Sequence, residues 1–180
     1  MTLIRRIFMT ALSASLLLLF AAPAWPTAQI PERITYEGEP GSLLTNPLES
    51  YFTKDNPRPE FAAPHTACWR GYIGSWEIRE NTLYLVDIKA WIRDSSGKAA
   101  PVDFEGLFPG KRAPLKADWF TGTLRIPRGK PLRYVHMGYQ TVYEEEVLLR
   151  IEKGNVVDRQ RIDNRNKVQP KPPDATSQDP

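Results

Sequence analysis

The sequence predicts an all-β domain: an antiparallel sandwich, open barrel or curved meander of about eight to ten strands. Three observations carry that expectation. "NTLYLVDIKAWI" (81–92) is apolar at every second position, and "EVLLRIE" and "NVVDRQRI" flank the two-residue turn Lys153-Gly154. No stretch after the leader sustains an apolar repeat of about 3.6 residues.

In the first of these, Tyr84, Val86, Ile88, Ala90 and Ile92 form the apolar set and Leu83, Leu85, Asp87, Lys89 and Trp91 the mixed one. A period of two with one apolar face predicts a strand resting that face on the core. "CWRGYIGSWEI" precedes it across "RENT", so the pair reads as a long hairpin turning near Glu80 and Asn81. In the closing hairpin Val147, Leu149 and Ile151 alternate with Leu148, Arg150 and Glu152, and Gly154 supplies the positive φ of the turn. "VDFEGLF", "DWFTGTLRIP" and "LRYVHMGY" lie between the hairpins as further strands, with breaks at 95–97, 109–110 and 127–130. "NPLESYF" (46–52) is the one helical candidate.

Residues 1–24 read as a signal peptide: Arg5 and Arg6, then an uncharged apolar run over 7–22, then Ala22-Pro23-Ala24. The apolar run is at the short end for a membrane span and is followed by prolines rather than a basic stop-transfer cluster. Ile4 stands where a twin-arginine signal carries Ser or Thr, and the chain's one cysteine, Cys68, is not placed for a lipid anchor. The expectation is a periplasmic or secreted protein that does not span the membrane after cleavage. Residues 25–163 then form a single β domain, and 164–180, with four prolines and no aromatic residue, a disordered tail.

The whole chain carries 24 basic and 21 acidic residues, a net charge of +3; without Arg5 and Arg6 the balance is 22 against 21, or +1. A nucleic-acid partner needs a basic face, so this class is set aside. One cysteine permits no internal disulfide, and Cys68 reads as a small buried side chain.

Two blocks, "TACWRGYIGSWEI" leading to "TLYL" and "ADWFTGTLRIPRGKPLRYVHMGYQTVYE", resemble an uncharacterised bacterial family of exported β-rich proteins. The family pattern is W-R-G-Y…W-E-I…L-Y-L followed by W-F-x-G-T-L-R-I-P-x-G-K…Y-V-H-M-G-Y. The resemblance covers about residues 33–163. It implies one β domain and carries over no activity.

"RYVHMGYQTVYEEE" (133–146) reads as a strand with Val135, Met137, Tyr139, Thr141 and Tyr143 inward and His136 outward beside Gly138. Glu144, Glu145 and Glu146 alternate faces and read as a charged strand end that discourages edge pairing. His65 and Cys68 are three apart with no second pair, so no metal site is expected. There is no G-x-S-x-G nucleophile elbow and no phosphate-cradling glycine loop, and no cofactor is called for.

Aromatic residues remain. Trp69, Trp76, Trp91 and Trp119, with Tyr72 and Tyr139, are either two sides of one core or a contact surface. Partly exposed tryptophan and arginine are what binding surfaces use, and a tryptophan can also stack on a sugar ring. The candidate binding residues are therefore Trp69, Arg70, Trp91, Trp119 and His136. The expected function is a non-enzymatic exported binding protein for a protein or cell-envelope partner, one form being a periplasmic immunity protein. The alternatives are a small envelope-directed hydrolase using His136 with Asp118 or Glu144, and a structural envelope subunit.

Overall fold

The structure is a computed structural model that describes residues 28–135 and 138–167. The expected signal peptide, most of the expected tail, and His136 with Met137 lie outside the described residues.

Among the described residues nine strands form one mixed sheet that is not closed into a barrel. They are β1 (Glu32–Tyr36), β2 (Glu39–Leu43), β3 (Tyr72–Arg79), β4 (Thr82–Arg93), β5 (Ala99–Val102), β6 (Leu115–Lys116), β7 (Gly122–Arg133), β8 (Val142–Glu152) and β9 (Asn155–Asp163). The order is β2-β1-β3-β4-β9-β8-β7, with β5 and β6 each paired to β4. Short 3₁₀ helices cover Pro47–Tyr51 and Thr66–Cys68. Among the described residues no helix is long and apolar enough to cross a membrane.

Both expected hairpins form. Glu80 and Asn81 take φ of 48° and 65°, and Lys153 and Gly154 take 46° and 77°, the left-handed pairs that match strand twist. A third such turn, Glu37-Gly38, joins β1 to β2.

The expected all-β fold stands, with every strand pairing antiparallel except one. β1 runs parallel to β3, with Ile34 opposite Trp76. The chain covers residues 44–71 between β2 and β3, long enough to return a strand in the same direction. The sheet curls until its two ends approach: Leu44 N–H donates to Arg125 O at 2.8 Å, and Arg125 N–H to Thr45 Oγ1 at 3.0 Å. Inside the curl lie Trp76, Leu83, Leu85, Leu124, Ile126, Leu149 and Ile151, all essentially sealed from water.

Four local readings change. The apolar set of β4 was expected to be Tyr84 through Ile92, but Leu83 and Leu85 are fully buried while Tyr84 and Val86 are half-exposed. Ser75 pairs with Asp87 and Trp76 with Leu85, leaving Val86 as an extra residue. That bulge flips the phase, so Leu83 and Leu85 point inward before it and Ile88 and Ala90 after it.

"VDFEGLF" is not a strand beyond Val102. Asp103 Oδ1 accepts from Gly106 N–H at 2.8 Å and caps a helical turn, Phe104–Leu107. The break expected at 127–130 is instead a bulge inside one long strand, β7. Gly129 sits there at φ 73°, against Glu144, whose carboxylate accepts from Lys130 N–H at 3.1 Å. β7 ends the sheet order, and an edge strand tolerates Pro127 and Pro131.

The strand expected over 133–146 is also corrected. The chain leaves β7 at Arg133 and re-enters the sheet at Val142. Thr141 Oγ1 clasps the backbone of Val135, accepting from its N–H at 3.2 Å and donating to its carbonyl at 3.3 Å. Gly138, at φ 56°, turns the chain within this loop.

Candidate functional site

The site grows from β1. Glu32, Ile34 and Tyr36 alternate inward, so an acid occupies a core position at the start of the strand. Glu32 is fully buried, and its carboxylate accepts from the Trp76 indole N–H across the parallel pairing. Gly74 makes the room: a Cβ there would lie 2.7 Å from both Glu32 Oε2 and Trp76 Nε1.

Arg70 follows the Thr66–Cys68 helix, and Gly71 (φ 81°) then turns the chain into β3. The Arg70 side chain is buried, with Nε 3.7 Å from Glu32 Oε1. Its other nitrogens are satisfied. Nη1 donates to Tyr139 OH at 2.7 Å, Nη2 to Ile30 O at 2.9 Å, and the guanidinium lies 5.4 Å from the Tyr72 ring centre. Tyr139 O–H in turn donates to Asn46 Oδ1 at 3.0 Å. Arg70 thereby ties β1, the 3₁₀ segments and the 138–141 loop into one polar node.

Burial pushes the Glu32 carboxyl up to about 7, against the opposing pull of the Trp76 N–H and the Arg70 cation. Burial likewise raises Tyr139 to about 12 and holds Tyr72 well above the ordinary phenol range. Cys68 packs beneath, its thiol 3.6 Å from Tyr72 O and raised by burial. That makes it an inert core group, as its sequence context predicts.

Outward from this node opens a cleft of about 420 Å³ lined by Asn46, Glu49, Arg58, Trp69 and Arg70. Glu49 accepts from Tyr72 O–H at 2.7 Å and from Arg58 Nε at 3.3 Å. Arg58 also donates to Arg70 O at 3.0 Å and sits 4.7 Å over the Phe61 ring. Trp69 is 67% exposed.

Of the five residues expected from sequence, the cleft brings together Trp69 and Arg70. Trp91 is half-buried on β4 opposite Pro101, its backbone bonded to Gly71 and Ala62. Trp119 is half-buried, with Nε1 donating to Pro47 O at 3.1 Å and its ring edge-on to Tyr51 at 4.7 Å. His136 lies outside the described residues. Trp76, the fourth tryptophan weighed, is core.

Sequence reading missed Glu32, Asn46, Glu49 and Arg58. Only Glu32 left a trace: it shares the period-two phase of Ile34 and Tyr36, so an acid falls where an apolar residue belongs.

The glutamate run departs from a plain charged strand end. Glu146 is buried and takes Arg125 in a bidentate pair at 2.7 and 2.5 Å, which holds its carboxyl below the usual range. Glu144 serves the β7 bulge, and Glu145 pairs with Arg165 at 2.5 Å. Among the described residues no three His, Cys, Asp or Glu side chains gather as a metal would need. No protein-family model, curated protein or solved structure matches the chain.

Proposed function

We propose that the chain is an exported, non-enzymatic binding protein that recognises a protein or cell-envelope partner through the Trp69 cleft. The observation that carries this reading is Trp69 itself. A tryptophan left 67% exposed beside a cleft that the buried Arg70 lines, itself backed by Glu32, offers much apolar area on a rigid support. Burying such a ring against a partner is strongly favourable, and the fixed support reduces the entropy lost on contact. Export rests on the leader-like residues 1–24, and the resemblance to the exported β-rich family belongs to the same proposal. A periplasmic immunity protein is one form that such a protein takes.

The test is affinity capture from a periplasmic extract with the wild-type chain and Trp69→Ala in parallel. A partner held by the wild type and lost by the variant supports the reading. A partner held equally by both, or none at any salt concentration, overturns it.

A further inference from the structure

We infer that the Trp69 cleft is a binding site for a neutral, polyhydroxylated glycan, with the indole of Trp69 as the platform for one face of a sugar ring. The inference rests on the binding role proposed above and narrows it to one ligand class.

The charge pattern selects against ions. Arg58 lies 3.3 Å from the Glu49 carboxylate, and Arg70, buried 3.7 Å from Glu32, already spends its terminal nitrogens on Tyr139 OH and Ile30 O, so neither cation is free to take an anion. A free anion would compete with Glu49 and Glu32, and a free cation with the two arginines. Base stacking on Trp69 would meet the same difficulty, because single-stranded nucleic acid needs a basic groove along its backbone.

The donor and acceptor pattern selects for hydroxyls. Asn46, Glu49 and Arg58 present planar polar groups around the opening. Asn46 Oδ1 is occupied by Tyr139 O–H, which orients the amide and leaves its NH₂ as a pair of donors. Glu49 supplies acceptor lone pairs and Arg58 further N–H donors. Adjacent sugar hydroxyls, each both donor and acceptor, match such groups two at a time.

The shape agrees. The C–H face of a sugar ring is apolar, and Trp69 is the exposed aromatic of the cleft. A volume of about 420 Å³ falls in the small-ligand range of about 300–1,000 Å³. A protein partner, by contrast, needs about 800 Å² of surface on each side. Among the described residues the other large exposed apolar side chains, Leu132, Tyr134 and Val157, belong to β7, the segment after it and β9, and none of them lines the cleft.

The experiment is isothermal titration of the purified protein with three neutral probes: an N-acetylglucosamine hexamer, maltohexaose and cellohexaose. At least one should bind saturably, with an affinity little changed by salt, because no net charge is neutralised. Trp69→Ala should weaken that binding by about tenfold or more, and Trp69→Phe by less, since a phenyl ring still stacks. Trp69 is exposed, so neither variant threatens folding. No saturable binding to any of the three, equal affinity in Trp69→Ala, or an affinity that falls steeply with salt would overturn the inference. Should the sugars fail while a periplasmic protein is captured through Trp69, the glycan assignment falls and the binding reading stands. If neither binds, both fall.

Discussion

Arg70 Nε and Glu32 Oε1 face each other at 3.7 Å inside the protein, and neither atom has a hydrogen-bond partner. The pair is close enough for Coulomb attraction and too far for a hydrogen bond. Every other polar atom of the two side chains is engaged, by Trp76, Tyr139 and Ile30. A buried pair so arranged is half-compensated, which is why the carboxyl stays near 7 despite the cation beside it.

The first prediction concerns pH. Glu32 titrates at about 7 folded against 4.5 unfolded, so the folded state binds its proton more tightly. That contribution to stability is fully present below 4.5 and is lost as pH rises through 7. At about 1.4 kcal/mol per pH unit, the loss across this window is about 3 kcal/mol. Glu146 has a depressed carboxyl and acts in the opposite sense, losing its contribution only as pH falls below the ordinary carboxylate range. Urea midpoints measured from pH 4.5 to 7 should therefore decline for the wild type. Glu32→Gln should flatten the decline, and an unchanged slope in that variant would show that Glu32 is not its source.

The second prediction separates the partners. Arg70→Met strands the Glu32 carboxyl in the core and frees Tyr139 OH, with an expected cost of about 3 kcal/mol. Removing the cation pushes Glu32 further up, so the cost should grow with pH. Arg70→Met combined with Glu32→Gln should recover a substantial part of the loss, because no charge is then left buried. Additive losses in a double-mutant cycle would argue that the two side chains do not interact.

Both long hairpins were legible because their turns carry local chemistry: Asn81 and Gly154 accept the left-handed backbone that matches strand twist. The core phase of β4 was legible only beyond Val86, at Ile88 and Ala90, since a bulge adds one residue without leaving a sequence mark. The 134–141 segment misled for a related reason. Val135, Tyr139 and Thr141 alternate as a strand would, but Arg125, Glu146 and the Thr141 clasp hold them as a loop. Arg70 stood out as a residue type beside Trp69, yet its burial depends on Glu32 and Tyr139, distant in sequence on both sides. The parallel β1–β3 pairing, which brings Glu32 to Trp76, is likewise a long-range choice.

The third prediction tests the space around the acid. In Gly74→Ala the new Cβ would sit 2.7 Å from Glu32 Oε2 and Trp76 Nε1. The backbone there is ordinary strand, so the penalty is one of volume rather than of φ. Trp76 is fully buried and Glu32 is anchored to it, so neither moves freely. Overpacking of this kind costs about 1–3 kcal/mol. Differential scanning calorimetry should show a lowered Tm for Gly74→Ala, and a Tm matching wild type would mean the node is looser than described.

The fourth prediction reaches the node from a distance. Arg125 grips the 138–141 loop by its backbone: it donates to the carbonyls of Tyr139 and Thr141 while paired with Glu146. That grip presents Tyr139 OH to Arg70 and Asn46. Lysine keeps the charge but has no planar fork, so Arg125→Lys can hold Glu146 and cannot hold both carbonyls as well. The loop should loosen, with a stability loss of about 1–3 kcal/mol from the broken charge-assisted bonds. Tyr139→Phe leaves the grip intact and removes only the hydroxyl, so its loss should be about 1–2 kcal/mol and its loop should stay protected. Hydrogen exchange distinguishes the two, because Arg125→Lys should speed exchange of amides in the loop and Tyr139→Phe should not. Equal protection in both variants would show that Arg125 does not position Tyr139. Faster exchange in Arg125→Lys together with an upward move of the Glu32 carboxyl would trace the path from β7 to the buried acid, since a displaced Tyr139 leaves Arg70 less firmly held beside it.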